Sequence, residues 1–203
     1  DGTTGMIRER DDVDVLVEVS TRTANVSRNA GLEVATGDVV ALLRHDLVVE
    51  SSWLDGLVDG LTDAPVVTGP THRTLDGGMT TEEPEQRRIG SREVTYFNGG
   101  NVAFRRPVLD TLDGFDEYLE AGGDRDAAHR LAGLDYEVAW RPEMCVRQKY
   151  SADGGVAAED RGVEFRSLAY RLVKNYGVRP AAATGTTRRA LRDALTAGRE
   201  VIR

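Results

Sequence analysis

The chain switches between two hydrophobic periods. Val13-Asp14-Val15-Leu16-Val17-Glu18-Val19 places β-branched residues at alternate positions and predicts a strand with one buried face. Thr23 to Thr36 carries Val26, Ala30 and Val34 at helical spacing, with Gly37 placed for a left-handed C-cap. Asp38 to Leu43 is an apolar run, as expected of a central strand covered on both faces. Beyond Ser51 or Ser52 as cap, Trp53, Leu54, Leu57, Val58 and Leu61 make one helical stripe. Pro65 to Gly69 reads as a short strand and 70–93 as a long polar loop. Val94 to Phe97 and Val102 to Phe104 predict strands flanking Asn98-Gly99-Gly100-Asn101. Pro107 suits the first turn of a short helix, Asp124 to Leu131 a further helix, and Tyr136 to Trp140 another strand. Strands alternating with helices predict an α/β fold, a mostly parallel central sheet flanked by helices.

The C-terminal part reads differently. Phe165, Leu168, Ala169, Leu172, Val173 and Tyr176 fall on one side of an amphipathic helix that Gly177 and Pro180 end. A second helix is predicted from about Thr187 to Ile202, with Leu191, Ala194 and Leu195 opposite Arg188, Arg192, Arg199 and Arg203. The expected organisation is an α/β domain over 1–150 and a helical extension over 151–203.

Charge sharpens this division. The net charge is −8, and of 26 basic residues only Lys149 and Lys174 are lysines. An acidic, lysine-poor chain fits a protein kept soluble in concentrated salt, and equally a high-GC codon bias. Residues 161–203 carry net +7, which leaves −15 on 1–160. Such an acidic body disfavours nucleic-acid binding, which depends on neutralising phosphates. The basic helices suit either packing on the body or in-plane contact with a membrane surface. Cys145 is the sole cysteine, so there is no intramolecular disulfide. No stretch reaches the roughly 20 apolar residues of a membrane span. The chain opens on Asp1 without a leader, as expected of a piece of a longer protein.

Four segments, in order and spacing, resemble family 2 glycosyltransferases of the GT-A fold. They are Asp1-Gly2-Thr3; Val26-Ser27-Arg28-Asn29-Ala30-Gly31 running to Ala35-Thr36-Gly37-Asp38; Leu43-Arg44-His45-Asp46 with Trp53-Leu54; and Asn98 to Arg106 leading to Gly114-Phe115-Asp116-Glu117 and Gly122-Gly123-Asp124-Arg125-Asp126. The resemblance covers about residues 1–146. It implies that a first strand, helix and second strand precede Asp1 in the whole enzyme.

What the resemblance implies chemically is transfer of a sugar from a nucleotide-diphosphate donor, with inversion, to a glycan or lipid-linked acceptor. A divalent cation, Mg²⁺ or Mn²⁺, commonly offsets the leaving diphosphate in such enzymes. The family's Asp-rich triplet reads Arg44-His45-Asp46 here, so Asp46 matches the metal position. His45 is a second ligand or a donor to ribose or sugar, and Arg44 offsets diphosphate charge directly. The departure leaves weaker metal binding, a metal-independent site or lost activity. Asp124, with Asp126 beside it, matches the general base, or else caps its helix. Asn98, Gly99, Gly100 and Asn101 resemble the segment lining the sugar and acceptor cleft. Arg28 and Asn29 match a segment near the nucleotide, although Asn29 equally suits a buried loop contact. The expected setting is the cytoplasm, with peripheral membrane contact through 161–203. The alternative is a catalytically silent domain of the same fold that binds sugar or nucleotide or serves as a scaffold.

Overall fold

The computed structural model describes residues 3–21, 23–72, 80–81, 83–149 and 161–177. Helices α1 (Thr3–Arg8) and α2 (Ala24–Val34) lead into strands β1 (Val39–Leu43) and β2 (Leu47–Val49). Helix α3 (Trp53–Asp63) is followed by the strands β3 (Val66–Thr68), β4 (Thr71–His72) and β5 (Thr80–Thr81). A hairpin of β6 (Gln86–Ile89) and β7 (Arg92–Thr95) precedes β8 (Asn101–Arg105), α4 (Arg106–Leu112) and α5 (Gly123–Gly133). Strands β9 (Val138–Trp140) and β10 (Val146–Gln148) and helix α6 (Arg161–Tyr176) complete the described elements.

The central sheet has the order β1-β8-β3-β9. Strands β1, β3 and β9 share one direction and β8 runs against them, pairing antiparallel with both β1 and β3. Helices cover both faces. Val66, Val102 and Phe104 point to one side, against Val108, Leu109, Phe115 and Leu131 from α4, α5 and the turn between them. Val67 and Ala103 point to the other, against Trp53, Leu57 and Leu61 of α3 and Met144. This two-sided burial is why Val66 and Val67, and Val102 to Phe104, are apolar at successive positions. Each fully enclosed side chain such as Phe104 or Leu131 contributes about 2–3 kcal/mol. A second sheet, β2-β10-β4-β5, joins the segment after β1 to the segment after β9.

Several expectations change. Residues 13–19 form no strand: Val13, Val15 and Val17 are exposed, and alternation makes a strand only where a neighbour supplies the ladder. Among the described residues β1 is an edge strand, with Val39 and Leu43 exposed, not a strand covered on both faces. Helix α2 ends at an extended Ala35 rather than a left-handed Gly37. Its buried residue is Asn25, while Val34 is exposed. Helix α3 turns Leu54 and Val58 outward and buries Gly56 and Gly60, because only glycine lets the helix close on Val67 and Met144. The polar stretch 86–95 is a hairpin turning at Gly90, whose φ is +63°. The second predicted helix, 187–202, lies outside the described residues.

Candidate functional site

The carboxyl ends of β1, β3 and β9 and the amino end of β8 meet on one rim of the central sheet. Ligands of open α/β sheets sit at such rims. The turn Asn98–Asn101 enters β8 there and is closed by its own first residue, since the Asn98 side-chain oxygen accepts the Gly100 amide at 2.9 Å. The Asn98 amide nitrogen donates to Thr71 Oγ1 at 2.8 Å.

Gly99 and Gly100 are glycines because of what approaches them. A Cβ on Gly99 would lie 2.5 Å from Arg28 Nη2 and 2.9 Å from the Asp124 Cβ; one on Gly100 would lie 2.8 Å from the Arg44 Cβ. The Gly99 amide donates to Asp124 Oδ2 at 3.3 Å, and the Arg44 amide donates to the Gly100 carbonyl at 3.1 Å. Two glycines thus link Asp124, at the start of α5, to the Arg44-His45-Asp46 turn after β1.

Arg28 reaches the same turn from α2. It donates to the Gly99 carbonyl at 3.1 Å and to Asn25 Oδ1 at 3.0 Å, with its guanidinium 5.1 Å over the Phe115 ring. Burial lowers its pKa, and the charge of Asp124 works in the opposite sense. On the other flank, Arg44 grips Asp46 with a fork: Nη2 donates to Oδ2 at 2.9 Å and Nε to Oδ1. Gln148 Nε2 donates to the same Oδ2 at 2.9 Å. Burial opposes ionisation of Asp46, yet these bonds hold its pKa below the usual carboxylate range. His45 is exposed on the turn between them.

Three predicted site residues have their polar atoms engaged inside the fold. Asn101 is fully buried with its polar atoms in use: Oδ1 accepts from Trp53 Nε1 at 2.8 Å, and Nδ2 faces the carbonyls of Gly69, Pro70 and Met144. It ties β8, α3 and the β9–β10 connection together. Asp126 is also fully buried, bonded to Arg130 at 2.9 Å, Lys174 at 3.0 Å and Asn175 at 2.8 Å. Its carboxylate clamps α6 to α5 and is closed to substrate. Asn29 Nδ2 donates to the Phe115 carbonyl and Oδ1 accepts the Phe115 amide, both at 2.8 Å, which fixes the turn at Gly114.

Asp124 is half-buried at the second position of α5, and its Oδ1 accepts the Arg125 amide at 2.9 Å. It opens on a cleft of about 1150 Å³ between the β6–β7 hairpin, the start of α5 and α6. Tyr96, Arg125 and His129 line this cleft with Asp124, as do Phe165 and Arg171 of α6. Arg44 and Asp46 stand outside its walls, across the Gly99–Gly100 link. Arg125 lay within the quoted motif but received no role; its guanidinium pairs with Glu85 at 2.6 Å and lies 4.2 Å over the Tyr96 ring. Nothing in local spacing marks Arg171, which reaches the cleft only through the packing of α6.

Within the Arg44-His45-Asp46 turn a divalent cation finds one protein carboxylate, that of Asp46. Among the described residues no three His, Cys, Asp or Glu side chains gather to hold a metal. The donor set fits a cation whose remaining ligands come from a bound diphosphate, and only when Arg44 releases an oxygen of Asp46.

Comparison with known proteins gives a consistent family. Residues 1–113 match the model of Glycosyl transferase family 2. Glucosyl-dolichyl phosphate glucuronosyltransferase of Haloferax volcanii is 30% identical over 132 residues, covering 57% of this chain and 41% of that protein. The mannosyltransferase PcManGT from Pyrobaculum calidifontis, solved with GDP-Man and Mn²⁺, superposes with a TM-score of 0.60 at 22% identity, over 86% of this chain and 51% of that one. Staphylococcus aureus TarS 1-349 with UDP-GlcNAc gives 0.57 at 15% identity, over 87% and 55%. The chain thus spans about half the length, or less, of these proteins, and the structural likeness is one of fold, GT-A.

Proposed function

Because the chain belongs to glycosyl transferase family 2, we propose that it transfers a hexosyl group from a nucleotide-diphosphate sugar to a hydroxyl of a glycan or lipid-linked acceptor, with inversion. The observation that carries this reading is the link through Gly99 and Gly100, which sets Asp124 and the Arg44–Asp46 pair at fixed positions on one sheet rim.

Each residue then has a part. Asp124 removes the proton of the attacking acceptor hydroxyl, a role open to a half-buried carboxylate that faces a cleft. Its bonds to the Gly99 and Arg125 amides orient it. Arg28 and Arg44 bring positive charge to opposite ends of the turn, where the donor's diphosphate leaves. Exposed His45 donates to the donor's ribose or sugar. Asn98 keeps the turn in shape through Thr71 and Gly100. A Mg²⁺ or Mn²⁺ ion held by Asp46 would offset charge on the leaving diphosphate. The reading places the enzyme in the cytoplasm, in peripheral contact with the membrane through 161–203; Val173 and Tyr170 are exposed on α6.

One observation favours a second reading, a silent domain that binds donor without turning it over: both Asp46 oxygens are held by Arg44, and Gln148 adds a third bond. Donor-consumption assays on the protein at its full native length, with Mg²⁺ or Mn²⁺, separate the two. Turnover lost in both Asp46→Ala and Asp124→Ala supports transfer. Donor binding with no turnover in the unaltered protein supports the silent domain, and turnover untouched by either substitution overturns the site.

A further inference from the structure

The cleft beside Asp124 contains a guanidinium that makes no ion pair among the described residues. Arg171 of α6 is 8% exposed. Its Nη1 donates to the Gly122 carbonyl at 3.3 Å, and its buried Nε has no hydrogen-bond partner among the described residues. Asp124 and Asp126 attract it and Arg125 repels it, yet neither carboxylate pairs with it. Removing a guanidinium from water without a partner is unfavourable, so a persistent case needs a reason. Holding α6 in place is not that reason. Lys174 and Asn175 do so through Asp126 of α5.

The surroundings favour an anion. Glu85 is already shared between Arg87 at 2.8 Å and Arg125 at 2.6 Å, and both Asp124 oxygens accept backbone amides. Glu120 and Glu164 stand on the cleft walls, the former exposed. The start of α5 has no side-chain cap, because Gly122 occupies that place at φ +69°. A Cβ there would strike Arg171 Nη1, so the glycine is what lets the guanidinium lie against the positive end of the helix. Ile89 of the hairpin, with Phe165 and Leu168 of α6 before Arg171, adds apolar lining. The Arg44 side of the Gly99–Gly100 link already provides for the donor's diphosphate, so this second cationic site serves a different molecule.

We propose that Arg171, with Arg125 and the amino end of α5, binds the phosphate of a phosphorylated acceptor whose hydroxyl lies at Asp124. Phe165 and Leu168 take the apolar chain where that phosphate is a lipid headgroup. The proposal rests on the transferase reading, but its test contains no donor, so the two fail separately.

The test titrates the whole chain with farnesyl phosphate, inorganic phosphate and farnesol, following the arginine Nε–H resonances by NMR and the affinity by calorimetry. The phosphate probes are expected to move the Arg171 Nε–H signal. Arg171→Gln should weaken them at least about tenfold and Arg171→Lys less, while Arg10→Gln, at an exposed arginine outside both sites, should leave them unchanged. Farnesyl phosphate binding about tenfold tighter than inorganic phosphate marks a lipid source; equal affinities mark a soluble phosphorylated acceptor. Farnesol alone should bind weakly. An unmoved Arg171 signal, wild-type affinity in a folded Arg171→Gln, or an equal loss in Arg10→Gln each overturns the site, and the first needs no variant.

Discussion

The Gly99 amide donates to the Asp124 carboxylate at 3.3 Å, joining residues 25 positions apart across the amino ends of β8 and α5. The next carbonyl in the turn, that of Gly100, accepts the Arg44 amide. Two adjacent glycines therefore set the relative positions of two charged groups that the chain places far apart. Because Asp124 belongs to a helix anchored by buried Ala127, Ala128 and Leu131, the carboxylate cannot drift when the turn is loaded.

That geometry can be broken from either end. Asp124→Asn keeps the shape and removes the base, so transfer should fall by about 10²–10⁴-fold with thermal stability nearly unchanged. Gly99→Ala sets a methyl group 2.5 Å from Arg28 Nη2 and should reduce turnover by displacing the turn. Steady-state kinetics with a thermal melt reads both. Wild-type turnover in Asp124→Asn would remove this residue as the base.

Arg44 stands where a second carboxylate would help hold a cation. Its fork on Asp46 competes with metal, and Gln148 adds to the competition. Arg44→Asp should therefore tighten Mn²⁺ binding by about tenfold or more, read from the free-ion signal in electron paramagnetic resonance. Asp46→Ala in the same background should abolish the gain. An unchanged Mn²⁺ affinity in Arg44→Asp would show that Asp46 is not a ligand.

The legible part of the fold was the part whose two faces are covered. Val66 and Val67, and Val102 to Phe104, are apolar at successive positions because helices lie on both sides, and a pattern of residues records that directly. Residues 13–19 have the alternation of a strand without a partner, and pairing is a property of two segments, not one. The α2 face misled because Asn25 and Asn29 use burial to satisfy carbonyls of residues 115–119, so polar positions face inward. Asp124 and the two glycines were readable as a motif. Asp126 and Asn101 were read as site residues by adjacency, although only their burial distinguishes a clamp from a ligand.

Asp126 gives a direct test of that distinction. Its carboxylate neutralises Arg130 and Lys174 and accepts from Asn175, all inside the α5–α6 contact. Asp126→Ala removes the buried counter-charge, leaving Arg130 only the Leu112 and Gly114 carbonyls and Lys174 only Asp116, and should cost about 3–5 kcal/mol of stability. Denaturant unfolding measures this change. A stability within 0.5 kcal/mol of wild type would contradict the clamp, since that is about the range of a neutral surface change.

His129 connects the core to the cleft and gives the protein a pH dependence with a definite sign. It is 1% exposed, with Nδ1 2.8 Å from the Tyr176 hydroxyl and Nε2 3.3 Å from the Tyr96 hydroxyl. Burial lowers its pKa from 6.5 to about 4, and Arg171 adds to the shift, while Asp126 opposes it. The folded state therefore favours the neutral ring, which accepts from one tyrosine and donates to the other. The unfolded chain takes up the proton first, so this contribution is complete above the unfolded pKa of 6.5 and is lost as pH falls towards 4. The loss should approach roughly 2–3 kcal/mol. Thermal melts of wild type and His129→Gln across that window isolate it from carboxylate titration, because only the difference between the two curves belongs to His129. Parallel curves from pH 6.5 to 4 would mean that the ring is already protonated in the fold, or that the tyrosines hold either form equally well.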